Sequence, residues 1–187
     1  MIFVTVGAQM AFDRLIGAVD AWAGERDRND VFAQIGPSEL TPSHMQWTNF
    51  LDPPAFRKRV QEADAIVAHA GMGSILTALE VGKPILVMPR LGRLRETRND
   101  HQVATAERFL EMGRVAVAMD ETELPSALDR LSALECGERI SRWASPELLG
   151  ALRAFIVGDA GGEPAERPEL ARESSAIAPG VRQRESS

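Results

Sequence analysis

Residues 65–74 read Ala-Ile-Val-Ala-His-Ala-Gly-Met-Gly-Ser, and this stretch decides the fold. The apolar run that leads into His69 predicts a buried strand, and the apolar periodicity over 72–81 predicts a helix directly after it. The first N–H groups of a helix are free to bind an anion, and the helix dipole favours negative charge there. The stretch therefore predicts a phosphate site, with a tight strand-to-helix turn that binds nothing as the alternative. The candidate phosphate-binding residues are Gly71, Met72, Gly73 and Ser74.

The same alternation of apolar runs and amphipathic stretches continues in both directions along the chain. Predicted strands lie at 2–6, 31–35, 46–50, 65–68, 84–88 and 115–118, and predicted helices at 12–24, 53–62, 72–81, 100–112, 121–134 and 145–157. Continuously apolar strands that alternate with helices are typical of a parallel sheet covered on both faces. The sequence therefore predicts an α/β fold with a doubly wound parallel sheet.

Ligands of such sheets bind beyond the carboxyl ends of the strands, which points to the connections at 7–11, 69–74 and 89–99. The further candidate ligand-binding residues are Thr5, Gly7 and Gln9 around the first connection, His69 at a strand end, and Arg90, His101 and Gln102 in or after the third. Each of these residues also has an alternative interpretation without a ligand. The glycine is then needed only for its turn, the histidine makes its hydrogen bonds within the fold, and the arginine belongs to a solvated basic loop.

Composition divides the chain into two parts. The 187 residues suffice for one substantial domain, which we expect to span residues 1–157. Residues 158–187 contain four Gly, three Pro and four Ser but no aromatic residue. Such a segment buries too little apolar surface to offset its ordering entropy, so we expect a disordered polar tail.

Charge and cysteine content limit the partners and the compartment. The chain has 21 basic and 27 acidic residues, a net charge of −6, which argues against nucleic acid as a partner. Its single cysteine, Cys136, is compatible with a reducing compartment. No apolar run approaches the roughly 18 residues that cross a bilayer, and no signal peptide is apparent. We therefore expect a cytoplasmic protein that reaches any membrane through a partner.

Several signatures of other chemistries are missing from the sequence. It has no Gly-x4-Gly-Lys-Ser/Thr loop, and the glycines at 71 and 73 are not followed by a third glycine, since Leu76 stands there. It has no Gly-x-Ser-x-Gly motif, three histidines in all and no Asp-x-Asp. We therefore expect neither a bound metal nor a cofactor.

The connections nevertheless carry a pattern that resembles a known family. The motifs are Phe3-Val-Thr-Val-Gly7 with Phe12-Asp-Arg-Leu-Ile16, His69-Ala-Gly-Met-Gly-Ser-Ile-Leu76, Gly82-Lys-Pro-Ile-Leu-Val-Met-Pro89 and Asn99-Asp-His-Gln102. In this order, over about residues 1–135, they resemble the C-terminal domain of glycosyltransferase family 28, the Rossmann-like donor-binding half of a GT-B glycosyltransferase. Single-domain subunits of this family, of the PssE exopolysaccharide type and of the dolichol-linked N-acetylglucosamine type, are similar in length.

The resemblance implies a site for a UDP-sugar, used in an inverting transfer without a metal. Residues 71–74 would hold the diphosphate, helped by Thr5, Gly7 and Gln9. The residues implied at the nucleotide and sugar are His69, Thr77, Glu80, Arg90, His101 and Gln102. Thr77 stands where family members carry an acidic residue that grips the ribose, so either Glu80 takes over or ribose binding differs.

The resemblance also implies a second polypeptide. In two-domain members the acceptor site and its general base belong to the other half, and we do not expect residues 136–187 to form such a half. We therefore expect a membrane-anchored, acceptor-binding glycosyltransferase subunit as partner and a lipid-linked saccharide as acceptor, at the inner face of the membrane. The predicted last helix, 145–157, is a candidate docking element or packs on its own sheet. A stand-alone UDP-sugar enzyme such as an epimerase, and a non-catalytic scaffold subunit, are the alternatives.

Overall fold

The computed structural model describes residues 1–113 and 115–133, which belong to one compact unit. Six parallel strands form one sheet in the order β3-β2-β1-β4-β5-β6. The strands are β1 Ile2–Thr5, β2 Val31–Gln34, β3 Gln46–Thr48, β4 Ala65–His69, β5 Ile85–Met88 and β6 Ala116–Val117. All six coincide with predicted strands, so the doubly wound parallel sheet is confirmed.

Among the described residues, four α-helices connect strands and a fifth follows the last strand. They are α1 Asp13–Glu25, α2 Pro53–Glu62, α3 Met72–Val81, α4 His101–Glu111 and α5 Leu124–Asp129. The bounds of α1 to α4 lie within one residue of the predicted ones. The start of α2 was predictable because its residues suit a helix N-terminus. The Asp52 carboxylate accepts the N–H of Ala55 at 2.7 Å, and Pro53 and Pro54 fill the first turn, where no N–H is needed.

Successive strand residues point to opposite faces of the sheet, and both faces are buried. Val4, Val67 and Leu86 pack under α1 and α5, whereas Phe3 and Ile66, one position before Val4 and Val67, pack under the other helices. Helix α1 and the residue before it bury apolar side chains at helical spacing: Phe12, Leu15, Ile16, Val19 and Trp22. Burial on both faces explains why the central strands β1, β4 and β5 are apolar at almost every position.

The predicted helix 121–134 is wrong at its start, because α5 begins only at Leu124. Pro125 lies in the first turn of α5, and in a helix begun at 121 its ring would meet the carbonyl four residues before it. The preceding residues form a turn instead, in which Asp120 Oδ1 accepts the N–H of Glu123 at 3.2 Å. A 3-10 turn, Leu131–Ala133, follows α5.

Three sequence expectations fall outside the described residues: the helix 145–157, the tail 158–187 and any role of Cys136. Within the described residues, no helix has the length and apolarity that crossing a membrane requires.

The strand order leaves a crevice at one edge of the sheet. Strands β1 and β4 are neighbours, and the chain leaves them toward opposite sides of the sheet. The loop after β1 and the turn after β4 therefore diverge at the carboxyl ends of the strands. In open α/β sheets this switch point is where ligands bind.

Candidate functional site

A cavity of about 390 Å³ lies at this switch point. Its lining comes from the loop after β1, the end of β4, the loop after β5 and the start of α4. The lining residues are Val6, Gly7, Ala8, Gln9, Met10, His69, Arg90, Thr97, His101 and Gln102. Six of the thirteen residues predicted at the site are among them, brought together from positions up to 95 residues apart in sequence.

The loop after β1 depends on a left-handed turn. Gly7 has φ +75°, a conformation that L side chains rarely adopt. The Thr5 hydroxyl accepts the N–H of Gly7 at 3.2 Å, and only 1% of Thr5 is exposed. Thr5 is not among the residues that line the cavity: its side chain is buried under the turn and shapes it, and its predicted contact with the diphosphate stays a prediction. Gln9 is exposed and lines the cavity.

The imidazole of His69 fills the space between two glycines. A Cβ on Gly71 would lie 2.1 Å from Cε1 of His69, and one on Gly7 would lie 3.0 Å from Nε2. Nε2 is 3.3 Å from the hydroxyl of Ser74, whereas Nδ1 is buried without a hydrogen-bond partner among the described residues. Both glycines are thus required for the ring to lie at the floor of the cavity.

The environment of His69 keeps its ring neutral. Burial, and then the positive charge of Arg90, lower the pKa of His69 to about 4, although the side chain of Gln102 opposes them. A neutral imidazole offers one donor and one acceptor, and does not require a counter-ion in the cavity. His69 is therefore suited to hydrogen bonding with a ligand rather than to ion pairing.

We expect this shift of the His69 pKa to be visible in the pH dependence of stability. The folded pKa lies below the ordinary 6.5, so the unfolded chain takes up the proton first on acidification. The contribution is complete above about pH 6.5 and is lost as the pH falls to about 4, by roughly 3 kcal/mol at most. Urea unfolding across this window should show that His69→Gln flattens the slope and that the exposed His44→Gln does not. Equal slopes for wild type and His69→Gln would contradict the assignment.

The start of α3 offers free donors beside His69. The N–H groups of Ser74 and Ile75 bond to the carbonyl of Gly71 at 3.1 and 3.2 Å. Those of Met72 and Gly73 have no acceptor among the described residues, and no side chain caps this helix. A Cβ on Gly73 would meet nothing within 4 Å. The predicted phosphate turn therefore keeps two N–H groups free and has room beside Gly73, although residues 71–74 are not among the residues that line the cavity.

Thr77 and Glu80 lie on α3 outside the cavity lining, and both are half-buried. The Thr77 hydroxyl donates to the carbonyl of Gly73 at 2.7 Å, within its own helix. Its proton is therefore occupied, and toward a ribose it would act as an acceptor. The predicted ribose role of these two residues stays a prediction.

Arg90 has a structural role that the sequence does not predict. It is only 4% exposed, and four of its guanidinium N–H groups donate to backbone carbonyls. The acceptors are Val6 and Met10 at 2.7 Å, Glu96 at 3.1 Å and Ala11. The side chain therefore ties the loop after β1 to the loop after β5. Since Arg90 also lines the cavity, its predicted contact with the nucleotide or sugar stays a prediction.

A second arginine reinforces this connection and was missed in the sequence. Arg14 of α1 makes a bidentate pair with the carboxylate of Glu96 at 2.9 and 2.8 Å, and both side chains are 11% exposed. It also donates to the carbonyl of Pro89 and to Glu121. Arg14 and Glu96 are 82 residues apart, so no local sequence pattern could pair them.

The cavity favours anions. No Asp or Glu is among its lining residues, although the chain as a whole is acidic. Among the described residues, no carboxylate lies within 4 Å of the Arg90 guanidinium, which remains charged at neutral pH. The nearest carboxylate that acts on this charge, Glu96, is already paired with Arg14. A buried cation whose own contacts are backbone carbonyls is an arrangement that a bound anion would stabilise.

The start of α4 completes the site. Gln102 is buried, and its Oε1 accepts the backbone N–H of Arg90 at 3.2 Å. His101 is exposed to the cavity, and its Nδ1 contacts Oδ1 of Asn99. Asn99 belongs to one of the family motifs but was not predicted as a site residue. Met10 and Thr97 also line the cavity without a signal in the sequence.

The described part of the chain has no group of three or more His, Cys, Asp or Glu side chains placed to hold a metal ion.

Comparison with known proteins identifies a similar protein. Human UDP-N-acetylglucosamine transferase subunit ALG13 is 32% identical over 124 residues, which cover 61% of this chain and 10% of the human protein. The chain therefore spans about a tenth of the length of that relative.

Solved structures share the fold. An NMR structure of ALG13 matches with a TM-score of 0.54 at 19% identity, covering 83% of this chain and 94% of that one. A putative UDP-N-acetylglucosamine 2-epimerase from Listeria monocytogenes matches with a TM-score of 0.54 at 15% identity, covering 90% and 46%. At these identities the likeness shows the fold alone, and it agrees with the Rossmann-like half of a GT-B enzyme.

The family itself follows from a longer match. The model of the glycosyltransferase family 28 C-terminal domain matches residues 1–138, which include every described residue of the sheet and of the cavity. The chain belongs to the glycosyltransferase family 28 C-terminal domain family.

Proposed function

We propose that this chain is the donor-binding, catalytic subunit of a two-component glycosyltransferase that uses a UDP-sugar. The observation that carries the proposal is a cavity lined by Arg90 and by no carboxylate, which the His69 ring connects to the start of α3: Nε2 of His69 is 3.3 Å from the hydroxyl of Ser74. A nucleoside diphosphate supplies the negative charge that such a site lacks. The name of the human relative supports UDP and N-acetylglucosamine as the probe to test first.

In this proposal the diphosphate lies over the start of α3. The N–H groups of Met72 and Gly73 and the Ser74 hydroxyl donate to its oxygens, and the neutral His69 adds a ring N–H. As the bond to the sugar breaks, negative charge builds up on the departing UDP. Donors fixed in advance stabilise that charge without reorganising, which is how such a site lowers the barrier. Inversion then results when an acceptor hydroxyl attacks from the opposite face of the sugar.

The proposal includes a partner, because the cavity is built from one edge of one sheet. A membrane-anchored subunit would supply the acceptor site and the general base that activates the acceptor hydroxyl. We propose a lipid-linked saccharide as acceptor, at the cytoplasmic face of a membrane, in exopolysaccharide or capsule synthesis. The word "subunit" in the name of the human relative supports a multi-chain enzyme.

Calorimetry with UDP tests the donor site directly. We expect a Kd below about 1 mM, or a binding free energy better than about −4 kcal/mol. UMP, which lacks the second phosphate, should bind at least about tenfold more weakly, and EDTA should leave the UDP affinity unchanged. No heat of binding at millimolar UDP would contradict the proposal and favour a scaffold subunit.

Reconstitution tests whether sugar transfer requires two subunits. The chain expressed with an acceptor-binding subunit should transfer sugar from a UDP-sugar to a lipid-linked acceptor, and neither chain should do so alone. Full transfer or epimerisation by this chain alone would show a stand-alone enzyme instead.

A further inference from the structure

Asn99 and His101 form a local pair at the start of α4. The backbone N–H of His101 donates to Oδ1 of Asn99 at 3.3 Å. Nδ1 of the His101 ring contacts the same oxygen. Both residues are exposed, and His101 lines the cavity. The pair therefore controls which ring atom of His101 a ligand meets.

The two contacts together determine the tautomer of His101. A backbone N–H can only donate, so the Asn99 atom that receives it is the amide oxygen and not the amide nitrogen. An amide oxygen can only accept, so Nδ1 of His101 carries the hydrogen. In the neutral ring Nε2 then has a lone pair and no proton. An imidazole free in water prefers the opposite tautomer, with the proton on Nε2, so Asn99 reverses the default.

We propose that Asn99 is a positioning residue that holds His101 as a hydrogen-bond acceptor for a hydroxyl group of the donor sugar. The assignment of the ligand rests on the proposed function. No described residue is hydrogen-bonded to Nε2, and the lining has no carboxylate that could accept from a sugar hydroxyl. Around the start of α3 the site offers donors to phosphate oxygens, whereas at His101 it offers an acceptor.

The tautomer is tested without any ligand. Histidine side chains labelled with ¹⁵N distinguish the two tautomers by NMR at pH 8, above the ordinary histidine pKa of about 6.5. The three histidines are assigned with His44→Gln and His101→Gln. We expect the proton of His101 on Nδ1 in the wild type and in Asn99→Asp, and mainly on Nε2 in Asn99→Ala. A wild-type ring protonated on Nε2 would overturn the proposal, whatever the chain binds.

The role toward the sugar is tested by comparing UDP with UDP-N-acetylglucosamine. Asn99→Ala should leave the affinity for UDP within about twofold and weaken that for the UDP-sugar about fivefold or more, or roughly 1 kcal/mol. Asn99→Asp keeps an acceptor oxygen and should restore most of the loss. The exposed Asn29→Ala is the matched control and should change neither affinity.

Two results would overturn this role. If Asn99→Ala lost the same affinity for UDP as for the UDP-sugar, Asn99 would act on the phosphate turn or on the fold. If it lost affinity for neither ligand, His101 would not contact the sugar. A wild type that binds neither ligand would overturn the proposed function together with the ligand assigned here, and the NMR result would then describe the tautomer alone.

Discussion

Replacing Gly73 with aspartate is expected to lower the affinity for UDP at least a hundredfold while slightly stabilising the fold. A side chain at 73 meets no atom within 4 Å, so the helix can accept it. Aspartate in the first turn of a helix interacts favourably with the dipole, and replacing a helical glycine adds to this, for a gain of roughly 0.5–1 kcal/mol. The same carboxylate would lie where the diphosphate is proposed to bind. Two like charges about 4 Å apart repel by about 4 kcal/mol near a protein surface, which exceeds the cost of a hundredfold loss.

The opposite signs of the two effects make the Gly73→Asp test specific. Gly17, in α1, is also a helical glycine with no atom within 4 Å of an added Cβ, so Gly17→Asp adds the same charge elsewhere. We expect Gly17→Asp to keep the wild-type UDP affinity. Calorimetry with UDP and urea unfolding are measured on both variants. If Gly73→Asp bound UDP as tightly as Gly17→Asp does, the diphosphate would not lie over the start of α3.

A smaller change at the same position separates charge from bulk. Gly73→Ala adds a methyl group without a charge and leaves the N–H in place. We expect it to weaken UDP binding about tenfold, less than aspartate does, because only close approach is lost. If Gly73→Ala weakened UDP binding as much as Gly73→Asp does, the added bulk and not the charge would account for the loss of affinity.

The fold was predictable because strands that are buried on both faces of a sheet are visible in the sequence as continuous apolar runs. Strands β1, β4 and β5 are apolar at almost every position, and α1 carries its apolar residues at helical spacing. The place of the site followed too, since the carboxyl ends of parallel strands share one edge. Gly7, His69 and His101 do meet in one cavity there.

The direction of individual side chains was not predictable. Arg90, Arg93, Arg95 and Arg98 look equivalent in the sequence, yet Arg90 is buried while the other three are exposed. The partners of Arg90 are backbone carbonyls, which every residue has, so no residue type marks them. Thr5 was placed correctly in its strand, but its hydroxyl is turned under the loop rather than toward the cavity.

Arg90→Met is the second substitution for which we expect a large effect, in this case on stability. Methionine fills much of the same volume but leaves the carbonyls of Val6, Met10, Ala11 and Glu96 without their donor. A buried acceptor without a partner costs about 1–3 kcal/mol. Water can reach some of the four, so we expect a total loss of roughly 3 kcal/mol or more in the free energy of unfolding. Arg93→Met is the matched control: Arg93 is exposed, and the change should stay within about 0.5 kcal/mol.

Arg90→Lys separates the hydrogen bonds from the charge. A lysine ammonium has three donors on a flexible stem and cannot reproduce the planar set of contacts, so stability should fall between that of the wild type and of Arg90→Met. It keeps the positive charge, however. If that charge helps to hold the diphosphate, the folded Arg90→Lys protein should bind UDP more tightly than folded Arg90→Met, measured at a temperature where both are folded. Equal UDP affinities with unequal stabilities would show that Arg90 serves the loops alone, and an Arg90→Met protein as stable as the wild type would remove it from both roles.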